Sequence, residues 1–239
     1  EEVYEVIDAI ETGDLQQLKN ELGDLLFQIV FYAELGKEQG LFDFDAVASE
    51  IGQKLLHRHP HVFPGGKLES KTAPDNSGSV ISAEQVTLNW EEGKSLERLQ
   101  KSGGKPVSAL DDVPLALPAL LRAAKLQKRA AAQGFDWPDS SGVLAKVREE
   151  LAELEEAVAG TSQQEVEEEF GDLLFTMVNL SRHLGSNPES SLRRASSKFE
   201  KRFRLVEQFL LQSGMKMAEV TAEQLNSLWE RAKLQETRL

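Results

Sequence analysis

The chain contains no cysteine. That absence excludes disulfide frameworks, thiolate zinc sites and cysteine nucleophiles. Basic residues are in short supply, with 27 Lys and Arg against 40 Asp and Glu and a net charge of -13. A general nucleic-acid binder needs a basic footprint, so no direct DNA or RNA binding is expected. A small phosphorylated ligand stays open, because a local basic cluster acting with a metal ion can hold one. Apolar runs are short and interrupted by charge, so no membrane contact is expected, and a cytoplasmic place follows. Neither a G-x-x-x-x-G-K-[ST] loop nor a G-x-S-x-G turn occurs in the sequence. P-loop nucleotide chemistry and that class of serine hydrolase are therefore excluded. Strand signals are nearly absent as well.

What remains is globular in composition. The 239 residues are 40% hydrophobic and 28% charged, enough for one or two domains. Apolar residues recur at helical spacing almost throughout, which predicts an all-α chain. Helices are expected at Glu1–Glu11, Leu15–Gln39, Phe44–Arg58 and Ser82–Leu99. After Pro118 they follow at about Ala119–Gln133, Val143–Ala159, Gln164–Leu184, Glu189–Ser213 and Thr221–Gln235. The Gly, Pro, Ser and Asn of residues 63–82 predict a loop, and Ser102-Gly103-Gly104-Lys105-Pro106 marks a break. The chain opens Glu1-Glu2-Val3-Tyr4-Glu5 with no Met and no cap, as if already inside a helix, so residues upstream are expected.

The two halves repeat. Glu1-Glu2-Val3-Tyr4-Glu5 aligns with Glu149-Glu150-Leu151-Ala152-Glu153, and Glu21-Leu22-Gly23-Asp24-Leu25-Leu26-Phe27 with Glu169-Phe170-Gly171-Asp172-Leu173-Leu174-Phe175. Lys54 and Arg58 match Lys198 and Arg202, and Trp90 and Lys94 match Trp229 and Lys233. Four blocks in one order indicate a tandem duplication. The expected division is a first helical domain at 1–100, a linker at 101–116 and a second helical domain at 117–239.

Each half carries E-x-x-E, fifteen residues, then E-x-x-D. The second set is Glu150, Glu153, Glu169 and Asp172; the first is Glu2, Glu5, Glu21 and Asp24. Residues three apart share a helix face. A short turn near Gly160-Thr161-Ser162 would make the two helices antiparallel neighbours and let the four carboxylates converge. A lone E-x-x-E is more often a solvated face. Here the pattern occurs twice, and residues 149–172 hold ten acidic and no basic residues, which leaves no ion pairs within the segment. A divalent cation would remove the repulsion, and an all-oxygen set selects Mg²⁺ or Mn²⁺. A di-iron carboxylate bundle is disfavoured, because none of His57, His59, His61 or His183 has a Glu three residues before it.

Basic residues cluster at Arg193–Arg204. Lys198 and Arg202 share a face and suit phosphate oxygens, although a solvated face that pairs with the acidic helices is an equal alternative. Trp229 and Lys233 add an aromatic plane and a cation one turn apart. A helical Trp is more often core than a base-stacking platform, so both readings stand. Arg122, Lys125 and Arg129 form a further stripe, read first as subunit or domain contacts. Metal-assisted hydrolysis of a phosphate substrate is the reaction class left. A non-catalytic acidic interaction module and a divalent-metal-binding scaffold are the other two classes.

These residues resemble the MazG family of nucleoside triphosphate pyrophosphohydrolases, of the all-α NTP pyrophosphatase superfamily. The resemblance rests on both E-x-x-E…E-x-x-D sets, the Gly-Asp-Leu-Leu-Phe runs and His-Arg-His-Pro-His-Val-Phe at 57–63. It extends to Gly-Phe-Asp-Trp at 134–137 and Lys-Phe-Glu-Lys-Arg-Phe at 198–203. It implies a tandem pair of helical-bundle domains, hydrolysis of NTP to NMP and pyrophosphate, Mg²⁺ dependence, broad base tolerance and a homodimer. It also implies that the second half is catalytic, with Glu150, Glu153, Glu169 and Asp172 on the metal. Lys146, Glu149, Glu168, Lys198, Arg202, Trp229 and Lys233 would then form the nucleotide site. A Trp-containing segment that the family carries ahead of its first domain has no counterpart before Glu1.

Overall fold

A computed structural model describes residues 1–58, 63 and 108–236. The chain divides into two compact units, Glu1–Pro106 and Val107–Leu239. Every regular element among the described residues is helical. In the first unit these are α1 (Glu2–Thr12), α2 (Leu15–Glu38) and α3 (Phe44–Arg58). In the second they are α4 (Ala119–Ala131), α5 (Ser140–Ala159), α6 (Gln163–His183), α7 (Pro188–Gln212) and α8 (Ala222–Glu236). A short 3₁₀ turn, Met217–Glu219, precedes α8. The expected helix at Ser82–Leu99, the break at 102–106 and nearly all of the expected 63–82 loop lie outside the described residues.

Local chemistry explains where the helices start and stop. Gly13 closes α1 at φ +74°, a left-handed backbone in which a Cβ would be strained. Asp14 then caps α2, its Oδ1 accepting from the backbone N–H groups of Gln16 at 3.0 Å and Gln17 at 2.9 Å. Asp139 caps α5 through Ser141 N–H, and Ser162 caps α6 through Glu165 N–H. Asn187 caps α7 through Ser190 N–H, with Pro188 at its first turn, where no N–H is needed.

In the first unit α1 and α2 form an antiparallel hairpin with α3 against α2. In the second, α5 and α6 form the equivalent hairpin, α4 packs on α6 and α7, and α8 returns along α7. Val206, Phe209 and Leu210 of α7 bury against Ala232 of α8, with Leu228 and Trp229 at the margin. The start of α5 packs closely on Trp137. A Cβ at Gly142 would stand 2.5 Å from the indole, so the indole can approach only a glycine.

The hairpins keep much apolar surface uncovered. On α6, Phe170 is 52% exposed, Leu174 44% and Met177 46%. Spaced i, i+4, i+7, they form one stripe. Asp172, Thr176 and Asn179 lie on the opposite side of the same helix by its 3.6-residue period. One side of α6 is thus left for packing and the other for polar chemistry.

Candidate active site

The α5–α6 hairpin brings together residues about twenty apart in sequence. One carboxylate oxygen from each of Glu150, Glu169 and Asp172 lies within 4.8 Å of the others. Glu150 is buried, with a side chain only 7% exposed, while Glu169 is half-buried and Asp172 exposed. Glu153 stands one turn along α5, outside this tight triad, but its charge bears on Glu169. Partial burial pushes the Glu169 carboxyl above the ordinary glutamate range. The charges of Glu153, Asp172, Glu150 and Glu168 push in the same direction. The first unit holds a counterpart triad in Glu2, Glu5 and Glu21, with Asp24 outside it. Burial and the charges of Glu21 and Glu1 raise Glu5 likewise. In each half, therefore, three of the four expected carboxylates meet tightly.

Lys146 supplies what the acidic segment lacks. Its Nζ lies 2.8 Å from carboxylate oxygens of both Glu149 and Glu150. Those two bonds hold the Lys146 ammonium well above its usual pKa. A buried carboxylate needs such a partner. The sequence reading placed Lys146 with the nucleotide and missed this pairing, although the i, i+4 spacing to Glu150 signals it. The all-oxygen donor set fits a hard divalent cation.

The other expected site residues divide into two places. Glu149 and Glu168 are exposed on the hairpin, Glu168 accepting from Gln164 Nε2 at 2.8 Å. Lys198 and Arg202 lie one turn apart on α7, and Lys233 pairs with Glu230 on α8. The Trp229 ring packs on the α7–α8 core, 5.4 Å from the Phe199 ring and 6.0 Å from the Arg202 guanidinium carbon. Of the α4 stripe, Arg129 donates to the carbonyls of Ala109 and Asp111, tying the incoming turn to the helix.

The family model of the MazG nucleotide pyrophosphohydrolase domain matches residues 1–63 and 139–206, which include both carboxylate triads. The chain is 46% identical to the nucleoside triphosphate pyrophosphohydrolase of Escherichia coli (strain K12) over 99% of its length and 85% of that protein's. The chain belongs to the MazG nucleotide pyrophosphohydrolase family. It is also 41% identical to the nucleoside triphosphate pyrophosphohydrolase/pyrophosphatase MazG of Thermotoga maritima, over 98% of this chain and 82% of that one. A Bacillus subtilis protein, YabN, is 37% identical over the whole chain, which spans 46% of it. As in MazG domains generally, the fold is all-α and comes in tandem copies. No helix among the described residues is long and apolar enough to cross a membrane.

Beside the MazG hairpin, Asp136 forms a latch that sequence reasoning did not find. Its carboxylate takes Arg182 Nη1 at 2.9 Å and His183 Nε2 at 3.0 Å. It thus ties the 134–137 turn to the end of α6. The bond from Arg182 holds the Asp136 carboxyl down at about 2. A depressed carboxylate pKa contributes stability above the unfolded-state value near 4, and that contribution is lost as pH falls toward 2. Asp136→Asn is expected to cost about 1–2 kcal/mol at pH 7 and progressively less below pH 4. Urea melts of both proteins at pH 7 and pH 3 check this; a difference that stays constant with pH would contradict it.

Proposed function

We propose that the chain hydrolyses nucleoside triphosphates to a nucleoside monophosphate and pyrophosphate, with Mg²⁺ as cation and Mn²⁺ as a substitute. The observation that carries this reading is the buried Glu150 carboxylate meeting Glu169 and Asp172 on a hairpin that falls within a MazG match. In this reading Glu150, Glu153, Glu169 and Asp172 hold the cation. When bound, the cation supplies charge stabilisation at the phosphoryl oxygens and a more acidic water. One of the carboxylates, or a neighbouring Glu, orients and deprotonates the attacking water. Lys198, Arg202 and Lys233 neutralise the departing pyrophosphate, and Lys146, Glu149, Glu168 and Trp229 complete the nucleotide site.

The domains of this proposal are 1–100 and 117–239, joined by 101–116, with the second carrying the working site. Base tolerance is broad, because no side chain of the proposed site reads a base edge. The active form is a cytoplasmic homodimer in which cations of one copy complete the site of the other. Incubation with ATP and Mg²⁺ is the test. AMP and pyrophosphate in equal amounts, lost on chelation, are expected. ADP and phosphate would refute the reaction, and no turnover would favour a scaffold or interaction module.

A further inference from the structure

Glu150 is the deepest of the three clustered carboxylates, and it already has a cation of its own. Its Oε1 takes Lys146 Nζ at 2.8 Å, and the same ammonium lies 2.8 Å from Glu149 Oε1. Lys146 is partly exposed and Glu149 fully so, while Glu150 is buried. A carboxylate at that depth is costly to leave charged and unpaired. Lys146 thus meets, on one member of the cluster, the need for positive charge that a divalent cation would also meet.

An ordinary helix ion pair accounts less well for this contact. In a helix an acid four residues before a base is the favourable order, and Lys146 before Glu150 is the reverse. The bond to exposed Glu149 runs in the same order and contributes little by itself. What sets the Lys146–Glu150 pair apart is the burial of the carboxylate. Helical side chains tilt toward the helix N-terminus, so Glu150 leans toward the turn of α5 that carries Lys146. The ammonium is a compact charge on a flexible four-carbon stem, and it can move without disturbing the helix. Glu149 offers it a second, exposed partner. A divalent charge on Glu150 would repel an ammonium held at hydrogen-bond distance on the same carboxylate. Glu150 therefore cannot hold both at full strength.

We propose that Lys146 is the stand-in for the divalent cation: Glu150 exchanges Lys146 for the metal, and the released ammonium turns to an anionic oxygen of the nucleotide. The inference rests on the proposed function for the cation at Glu150 and for the ligand. Lys146 is a positioning residue before the exchange and a binding residue after it. The exchange replaces one positive partner of Glu150 by another, so the buried carboxylate is never left alone. It also sets an order, because the ammonium is free for the nucleotide only once Glu150 has taken the metal.

Mn²⁺ alone, titrated into the full chain by calorimetry, tests the exchange. Lys146→Met removes the charge at similar length, and Lys146→Gln keeps a donor without the charge. Both are expected to bind Mn²⁺ about tenfold more tightly than the parent, because the competing charge is gone. Both should melt several degrees lower without metal, a difference that closes at saturating Mn²⁺. The KM for ATP at saturating Mn²⁺ should rise several-fold in both, opposite in sign to the change in metal affinity. Thermal melts confirm folding, and Lys146→Gln carries the test should Lys146→Met not fold. Mn²⁺ affinity within twofold of the parent would overturn the exchange. Weaker Mn²⁺ binding would overturn it too, being what a partner that only orients Glu150 produces. A KM for ATP within twofold of the parent would overturn the turn toward the nucleotide. No Mn²⁺ binding to the parent or to either variant would count against the proposed function and remove this inference with it.

Discussion

Asp172→Asn and Glu169→Gln are each expected to abolish turnover of ATP, a loss of roughly 100-fold or more, with helicity unchanged. Outer-shell metal partners alone are commonly worth about 10–100-fold, and a direct ligand should exceed that. An amide keeps the shape but offers a neutral, poorer donor to a hard cation. Glu169 gives a second readout. Its carboxyl is raised by burial and by Glu153, Asp172 and Glu150, so its charge opposes the metal-free fold. Glu169→Gln should therefore leave the melting temperature of the metal-free protein unchanged or higher while activity falls. That opposition of stability and activity is what a binding role produces and a structural role does not. In the first unit Glu2→Gln, at the position equivalent to Glu150, is expected to change activity little, because Glu2 is only half-buried where Glu150 is buried and held by Lys146. Steady-state assays with circular dichroism check all three. Full activity in Asp172→Asn or Glu169→Gln would remove that residue from the site, and an equal loss in Glu2→Gln would mean that both halves work.

The second large effect concerns assembly. Light scattering at micromolar concentration is expected to give twice the 26.5 kDa chain mass. Phe170, Leu174 and Met177 stand about half exposed in a stripe on α6, facing away from Asp172. Two copies meeting on a two-fold axis would cover both stripes with one self-complementary contact. Six such side chains would contribute on the order of 5–10 kcal/mol before the cost of association. Leu174→Glu with Met177→Glu should shift the mass to that of one chain and lower activity sharply. A parent of one-chain mass with full activity would exclude the dimer.

Much of this architecture was legible from residue spacing. Helix periodicity is a local property, so Leu15–Glu38, Phe44–Arg58 and Ser140–Ala159 could be read to within a few residues. The breaks at Gly13-Asp14 and near Ser162 were legible because these residues close and cap helices through bonds to residues two or three positions away. The duplication and its paired carboxylates were legible for the same reason. E-x-x-E and E-x-x-D each place two acids on one face, and a short turn leaves an antiparallel hairpin as the compact arrangement.

What spacing could not decide was which faces meet and how deeply. Glu150 and Glu153 are equivalent by sequence, yet only Glu150 is turned into the hairpin, where burial makes Lys146 its partner. Trp229 reads more often as core than as platform, and the packing of α7 on α8 places it beside Phe199 at the core margin. Gln127 is an ordinary polar position on α4, and becomes a buried acceptor only because α6 sets the Phe175 carbonyl against its amide nitrogen. Asp136 and Arg182 are 46 residues apart and meet only once the 134–137 turn folds onto the end of α6. Local spacing determined the helices and the charges that they carry. Desolvation and pairing depend on contacts between helices distant in sequence, so only the tertiary structure decided which carboxylates gather.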